Sequence, residues 1–175
     1  ITLAIMHWTD RNLFALAVVC YGLSTLHAVF LRRKGFRRDE WITYLLLLAG
    51  AMLHTFAMLE RGFSLNRCPI TNLYEATIFV AWTLVAAYLL IGLWPRLRFL
   101  GAFASPLLLG IGVFALMPAL DVPLGHPGYV GGWSSLHKAL ILLAYGTFGL
   151  GSAAGLMYLS QAYDLKHAKL RAVIS

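Results

Sequence analysis

Charge is what this chain has least of. Only 12% of its 175 residues are Asp, Glu, Lys or Arg, while 60% are hydrophobic. Soluble domains carry about 25% charged residues, so this chain cannot cover a soluble surface of its size with charge. Cysteine is nearly absent too. Cys20 lies inside an apolar run and Cys68 in a loop, and they form no C-x-x-C pair. That spacing excludes a disulfide-stapled miniprotein, a thioredoxin-like site and a covalent haem-attachment motif. A phosphate-binding Walker loop, a dinucleotide glycine fingerprint and H-E-x-x-H are all missing. Period-2 alternation is nowhere sustained, which argues against a membrane β-barrel. There is no internal repeat and no low-complexity segment.

What is present is apolar length. The mean hydropathy is +0.75, and five apolar runs are each long enough to cross the roughly 30 Å hydrocarbon slab. The spans fall at about 12–31, 41–61, 72–94, 99–117 and 134–163. The expected fold is therefore all-α: a polytopic membrane bundle of about five helices, in a single transmembrane domain covering 1–175. The net charge of +7 sits in the loops, where the positive-inside rule explains it without nucleic acid. Arg32, Arg33, Lys34, Arg37, Arg38, Arg96, Arg98, Lys166, Lys169 and Arg171 fall on one side of the expected membrane. Arg11, Arg61, Arg67 and Lys138 fall on the other. Ten against four places the N-terminus outside and the C-terminus in the cytoplasm.

Local signals agree with these spans. Asn72 and Glu75 have capping-box spacing at the start of the third span. Pro95 ends that span and opens a tight turn, and Pro106 is expected to kink the fourth. Gly151 and Gly155 form a small-x-x-x-small pair on the fifth span, with Gly146 and Gly149 upstream, a pattern that reads first as close helix packing. Trp41, Trp94, Trp133 and Tyr163 fall at span ends, as an interfacial aromatic belt requires. Glu60 and Glu75 both sit at the outer boundary, and nothing marks them as a catalytic pair.

The chemistry rests on histidine. His7 and His167 lie beyond the spans, and His126 lies in a turn-rich loop, Pro-Leu-Gly-His-Pro-Gly. His27, His54 and His137 are intramembrane, where an ionisable side chain marks a functional candidate. His54 is seven residues from Arg61, so roughly 10 Å below the outer boundary, and His137 is four from Trp133, roughly 6 Å below it. Two imidazoles nearly level on different helices suit one haem held from both faces, two haems, or a quinone. His27 lies roughly 8 Å above the inner boundary, too deep to share an iron with them. The plainer reading of each is a neutral imidazole bonded to a neighbouring helix.

Three stretches carry a resemblance. Cys68-Pro-Ile-Thr-Asn-Leu-Tyr-Glu-Ala leading to Trp82 resembles the "P-x-S/T-N-L-Y-E-S/A…W" span entry of the CcsA-type cytochrome c assembly family. Trp133-Ser-Ser-Leu-His-Lys-Ala-Leu, leading to Tyr145, resembles its "W-x-x-L-H-x-x-L…S/A-Y" helix start. Gly50-Ala-Met-Leu-His54 is similar to its second-span histidine pattern. In size and loop brevity the chain is most similar to the HemX-like inner-membrane branch. The resemblance implies haem handling at the outer face of a bacterial cytoplasmic membrane, with non-covalent haem b as cofactor. It implies His137 and His54 as axial candidates and Trp133, Asn72, Tyr74 and Glu75 as motif neighbours; His27 remains a weaker candidate from its place inside a span alone. The implied partners are the lipid bilayer, other membrane subunits of a cytochrome assembly or respiratory or photosynthetic complex, and apocytochrome c. The family's Trp-rich segment has no counterpart in these residues, so the chain is expected to be either the N-terminal part of a longer architecture or a shortened relative, and at most part of a haem lyase. The alternative from a different class is a haem-b or structural subunit of an electron-transfer complex.

Overall fold

The computed structural model describes residues 9–33, 40–65, 70, 72–122 and 132–174. Among them the regular structure is all helical: α1 (Asp10–Arg33), α2 (Glu40–Leu65), α3 (Leu73–Ile91), α4 (Gly101–Ala115) and α5 (Gly132–Ile174), with short 3-10 helices at Pro95–Leu100 and Pro118–Leu120. Each of the five longer helical segments is long and apolar enough to cross a membrane. The chain is a multi-pass helical membrane bundle, as its composition requires.

Helix ends differ from the apolar runs by two residues or more in every helix, and three of these differences have a clear physical reason. Helix α2 does not stop at Arg61 but continues to Leu65, because Arg61 turns inward to carboxylates instead of marking the water boundary. Helix α3 ends at Ile91 with Gly92 as its cap, three residues before Trp94. Pro95 then opens a 3-10 helix at its first position, where its missing N–H costs nothing. Helix α5 runs on to Ile174, since nothing between Tyr163 and there breaks a helix. Pro106 sits inside α4.

Packing follows from side-chain size. Helix α1 lies against α2 and α4, α3 lies against α2, α4 and α5, and α5 rests on α3 and α4. One buried cluster joins Tyr21, Tyr44, Leu47, Leu84, Tyr88 and Leu108 in the middle of the bundle. A second joins Phe14, Val18, Ala57, Tyr74, Ile78 and Ala115. Hydrophobic driving force is weak between helices in lipid, so close approach depends on small residues. Gly146 and Gly149 supply it: a Cβ at Gly146 would run into the side chain of Thr83 and the backbone of Leu84, and one at Gly149 would touch Leu84. The expected packing at Gly151 and Gly155 is not made among the described residues. Nothing lies within 4 Å of a Cβ at either, because both face away from α3.

The two ends of the bundle are built differently. At the end where α3 passes into α4, Arg98 lies over the rings of Trp41 (4.6 Å) and Tyr44 (5.3 Å) and donates from Nε to the Gly92 carbonyl. Tyr88 Oη donates to the Arg98 carbonyl. Trp41 is thus engaged by a cation as well as available to an interface. The other end is charged and is described next.

Candidate haem-handling site

His54 is fully buried on α2. Two turns of α1 pass over it. Phe14 meets its ring edge-on at a centroid distance of 4.8 Å, and Tyr21 Oη lies 3.1 Å from its Nδ1. Phe14 and Tyr21 are seven residues apart, so helical periodicity places both on the inward face of α1. The other ring nitrogen, Nε2, has no hydrogen-bond partner among the described residues. The Ile78 backbone on α3 lies beside the ring. Metal-binding histidines commonly anchor one nitrogen on a neighbour and leave the other for the metal. His54 has that arrangement, with Phe14 and Tyr21 against its ring.

Above His54 lies a charged cluster centred on Arg61. Its Nη1 donates to Asp10 Oδ2 (2.8 Å) on α1, its Nε to Glu75 Oε1 (3.0 Å) on α3, and its Nη2 to Asp121 Oδ1 (2.6 Å) beyond α4. Its Cζ stands 4.8 Å from the centre of the Tyr74 ring, and that of Arg11 stands 5.6 Å from the same ring. Arg11 donates to the Leu116 carbonyl at 2.7 Å. Asn72 caps α3, accepting the Glu75 N–H at 2.7 Å, and its Nδ2 donates to Asp121 Oδ1 at 2.9 Å. Asn72, Tyr74 and Glu75 are all buried. The Tyr74 hydroxyl is a second buried polar atom without a partner among the described residues.

The remaining candidates are dispersed. His137 is exposed in the second turn of α5, and Trp133 beside it is 86% exposed. His27 is half-buried near the opposite end, 3.0 Å from Thr43 Oγ1 through Nδ1. His54 is therefore interior and His137 lies on the surface of α5. His167 is exposed and lies against Tyr163, one turn away. Glu60 is exposed while Glu75 is paired inward, so they do not form a carboxylate pair. His7, His126 and Cys68 lie outside the described residues. Among the described residues no group of three or more His, Cys, Asp or Glu is placed to hold a metal ion.

Sequence reasoning did not find Tyr21, Asp10 or Asp121. Tyr21 sits in an uncharged run and reads as apolar. Asp10 and Asp121 are 111 residues apart in sequence, and no spacing rule joins them. The signal that was available is topological, since Asp10, Arg61, Glu75 and Asp121 all fall at ends of spans on the same side.

Comparison with known proteins agrees with this architecture. No protein-family model matches the chain, and no solved structure matches it. Curated relatives do. The cytochrome c biogenesis protein CcsA of Gloeobacter violaceus (strain ATCC 29082 / PCC 7421) is 30% identical over 129 residues, 70% of this chain and 38% of that protein. The protein of the same name from Synechococcus sp. (strain JA-2-3B'a(2-13)) is 32% identical over 117 residues, 64% of this chain and 33% of its own length. That of Porphyra purpurea is 25% identical over 146 residues, 79% of this chain and 46% of its own length. The chain thus spans between a third and a half of these relatives. Over the stretch it shares with them, this multi-pass membrane chain belongs to the CcsA-type cytochrome c biogenesis family.

Proposed function

We propose that the chain handles haem during cytochrome c biogenesis, holding or passing it at the outer face of a bacterial cytoplasmic membrane. The observation that carries this reading is His54, a buried imidazole with Nδ1 on Tyr21 and Nε2 without a hydrogen-bond partner among the described residues, in a chain whose relatives are named for cytochrome c biogenesis. Those names do not favour the electron-transfer subunit considered from sequence.

The donor chemistry fits haem iron, which neutral imidazole commonly ligates. His137, open on α5, is the candidate ligand for haem arriving at the surface. His54 is the candidate ligand in the interior, where Phe14 packs against its ring. His27 is a weaker candidate, since its Nδ1 is already on Thr43. Trp133, with its ring in the open, supplies a flat apolar surface one turn from His137. Asn72, Tyr74 and Glu75 serve the framework and do not present groups outward. The bound group is non-covalent haem b, because the chain has no C-x-x-C-H, and it supplies an iron centre and reactive vinyl edges when present.

The orientation that goes with this reading has the Arg61 end outside, from the ten-to-four distribution of basic residues. Residues 1–175 act as one transmembrane domain, the N-terminal part of a longer family architecture and at most part of a haem lyase. The partners are the lipid bilayer, other membrane subunits of the assembly machinery and apocytochrome c. The Gly151/Gly155 face of α5, open among the described residues, is the place for a partner helix.

The test is a visible absorption spectrum of the purified chain titrated with haem. His137→Ala is expected to lose haem or change its spin state, and His27→Ala to change little. A His54→Ala, His137→Ala double variant with the wild-type spectrum would refute the assignment.

A further inference from the structure

The Arg61 cluster is unlike a surface ion pair. The Arg61 side chain is only 13% exposed and Glu75 is completely buried. Three carboxylates from three separate segments converge on a single guanidinium: Asp10 opens α1, Glu75 opens α3, and Asp121 follows α4. The planar fork of arginine, with five donors in fixed directions, can serve three acceptors at once; a lysine ammonium is a point charge that cannot reproduce those directions. Without the guanidinium the three carboxylates would face one another in a partly dry site, which is costly.

The position of the cluster gives it a consequence. Directly beneath it lie Phe14, Tyr74, Ala57 and Ala115, which form one buried apolar cluster. The Arg61 guanidinium itself rests on the Tyr74 ring. Phe14 touches both Tyr74 (6.0 Å) and His54 (4.8 Å). Asp10 and Phe14 are one helical turn apart on α1, so the residue that Arg61 holds and the residue that covers His54 belong to the same face of one rigid element. His54 and Arg61 are two turns apart on α2, on one face as well.

We propose that Arg61 is a positioning residue for His54: its guanidinium holds the ends of α1, α3 and the exit of α4 together over the Phe14–Tyr74 layer, and so sets whether His54 can be reached from that end of the bundle. This deepens the haem-handling reading, because an interior ligand is useful only if access to it is controlled. Arg61 touches no haem in this scheme; it acts through Phe14 and Tyr74.

The access claim is tested without haem. In the full chain with Cys20→Ala and Cys68→Ala, a reporter is placed by Ala115→Cys, a fully buried position in the layer below the cluster. A membrane-impermeant maleimide is applied from the Arg61 side. Arg61→Lys, which keeps the charge and loses the fork, is expected to raise the labelling rate by about tenfold or more while the thermal midpoint stays close to that of the parent. Asp121→Asn serves as the second variant, with the same expectation, should the lysine variant fold poorly. Lys138→Gln, a charge at the same end outside the cluster, is expected to leave labelling unchanged. Labelling at the parental rate in both cluster variants would overturn the proposal. So would labelling that rises only in step with loss of the whole fold, since that is a purely structural role. A failure of the haem reading looks different: wild-type chain would then show no spectrum dependent on His54 or His137, while the labelling result stood.

Discussion

The hydroxyl of Tyr21 on α1 lies 3.1 Å from Nδ1 of His54 on α2, and both residues are fully buried. This pair fixes the ring: with Nδ1 tied to α1, the nitrogen left over is Nε2, turned away from Tyr21. A buried histidine that bonded through both nitrogens would be a tie between helices and nothing more. This one is a tie on one side, and its other nitrogen has no hydrogen-bond partner among the described residues.

Removing the tie should be measurable. Tyr21→Phe keeps the ring and deletes the hydroxyl, so it should cost about 0.6–1.7 kcal/mol, the range for interhelical hydrogen bonds in membrane proteins. Reversible unfolding in mixed detergent micelles reads this directly. If His54 ligates haem, the same variant should also shift the His54-dependent part of the haem spectrum, because ligand orientation depends on such partners. A variant with parental stability and spectrum would show that the 3.1 Å contact does neither job.

The glycines of α5 offer an internal control. Gly146→Ala places a methyl against Thr83 and the Leu84 backbone, and overpacking of this kind costs about 1–3 kcal/mol. Gly151→Ala meets open space and should gain up to about 1 kcal/mol from helix propensity. Opposite signs in the same unfolding assay are expected. Equal effects would mean that α5 does not approach α3 through Gly146.

Orientation can be checked with the native thiols. If the Arg61 end faces outward, Cys68, between α2 and α3 in sequence, should react with an impermeant maleimide in intact cells. Cys20, half-buried within α1, should not. Labelling of Cys68 only after lysis would reverse the topology and move the candidate site to the cytoplasmic side.

Haem attachment to an apocytochrome calls for an external platform, a second external ligand and a source of reductant. At the Arg61 end the described residues offer one exposed histidine, His137, and the chain holds no C-x-x-C pair. Residues 1–175 expressed with an apocytochrome c, in a strain without its own maturation machinery, should yield no covalent haem on a stained gel. Holocytochrome should accumulate only when a longer chain or second subunit is supplied. Its appearance without any addition would show that these residues suffice.

Much of this architecture was legible because membrane insertion writes itself into composition. A run of about 20 apolar residues has few alternatives to a spanning helix, so α1 to α5 could be located before any contact was known. Ends were harder. Arg61 read as the limit of α2 because a charge normally seeks water, and only the convergence of Asp10, Glu75 and Asp121 on it explains why the helix continues to Leu65. His54 stood out by depth alone, but Tyr21 did not, since a tyrosine in an apolar run carries no mark of its future partner. The glycine pattern misled for a similar reason. Gly151 and Gly155 have the more familiar spacing, while Gly146 and Gly149 have the neighbour, and neighbours on other helices are not written in local spacing.

The length of α5 has a geometric consequence of its own. At about 1.5 Å per residue its 43 residues make a rod of roughly 65 Å. A tilt of about 40°, the upper end of what spanning helices adopt, accommodates only some 39 Å of it in a 30 Å slab. About 26 Å of rod must therefore stand in water or headgroups, whichever way the bundle leans. Gly146 is held against Thr83, near the middle of α3, so most of this excess lies at the Ile174 end, where Tyr158, Leu159, Tyr163 and Leu165 are exposed among the described residues. The contacts that hold α5 to the bundle run from Gly146 to Met157, so beyond Met157 the helix projects from the described bundle as a cantilever of about 25 Å.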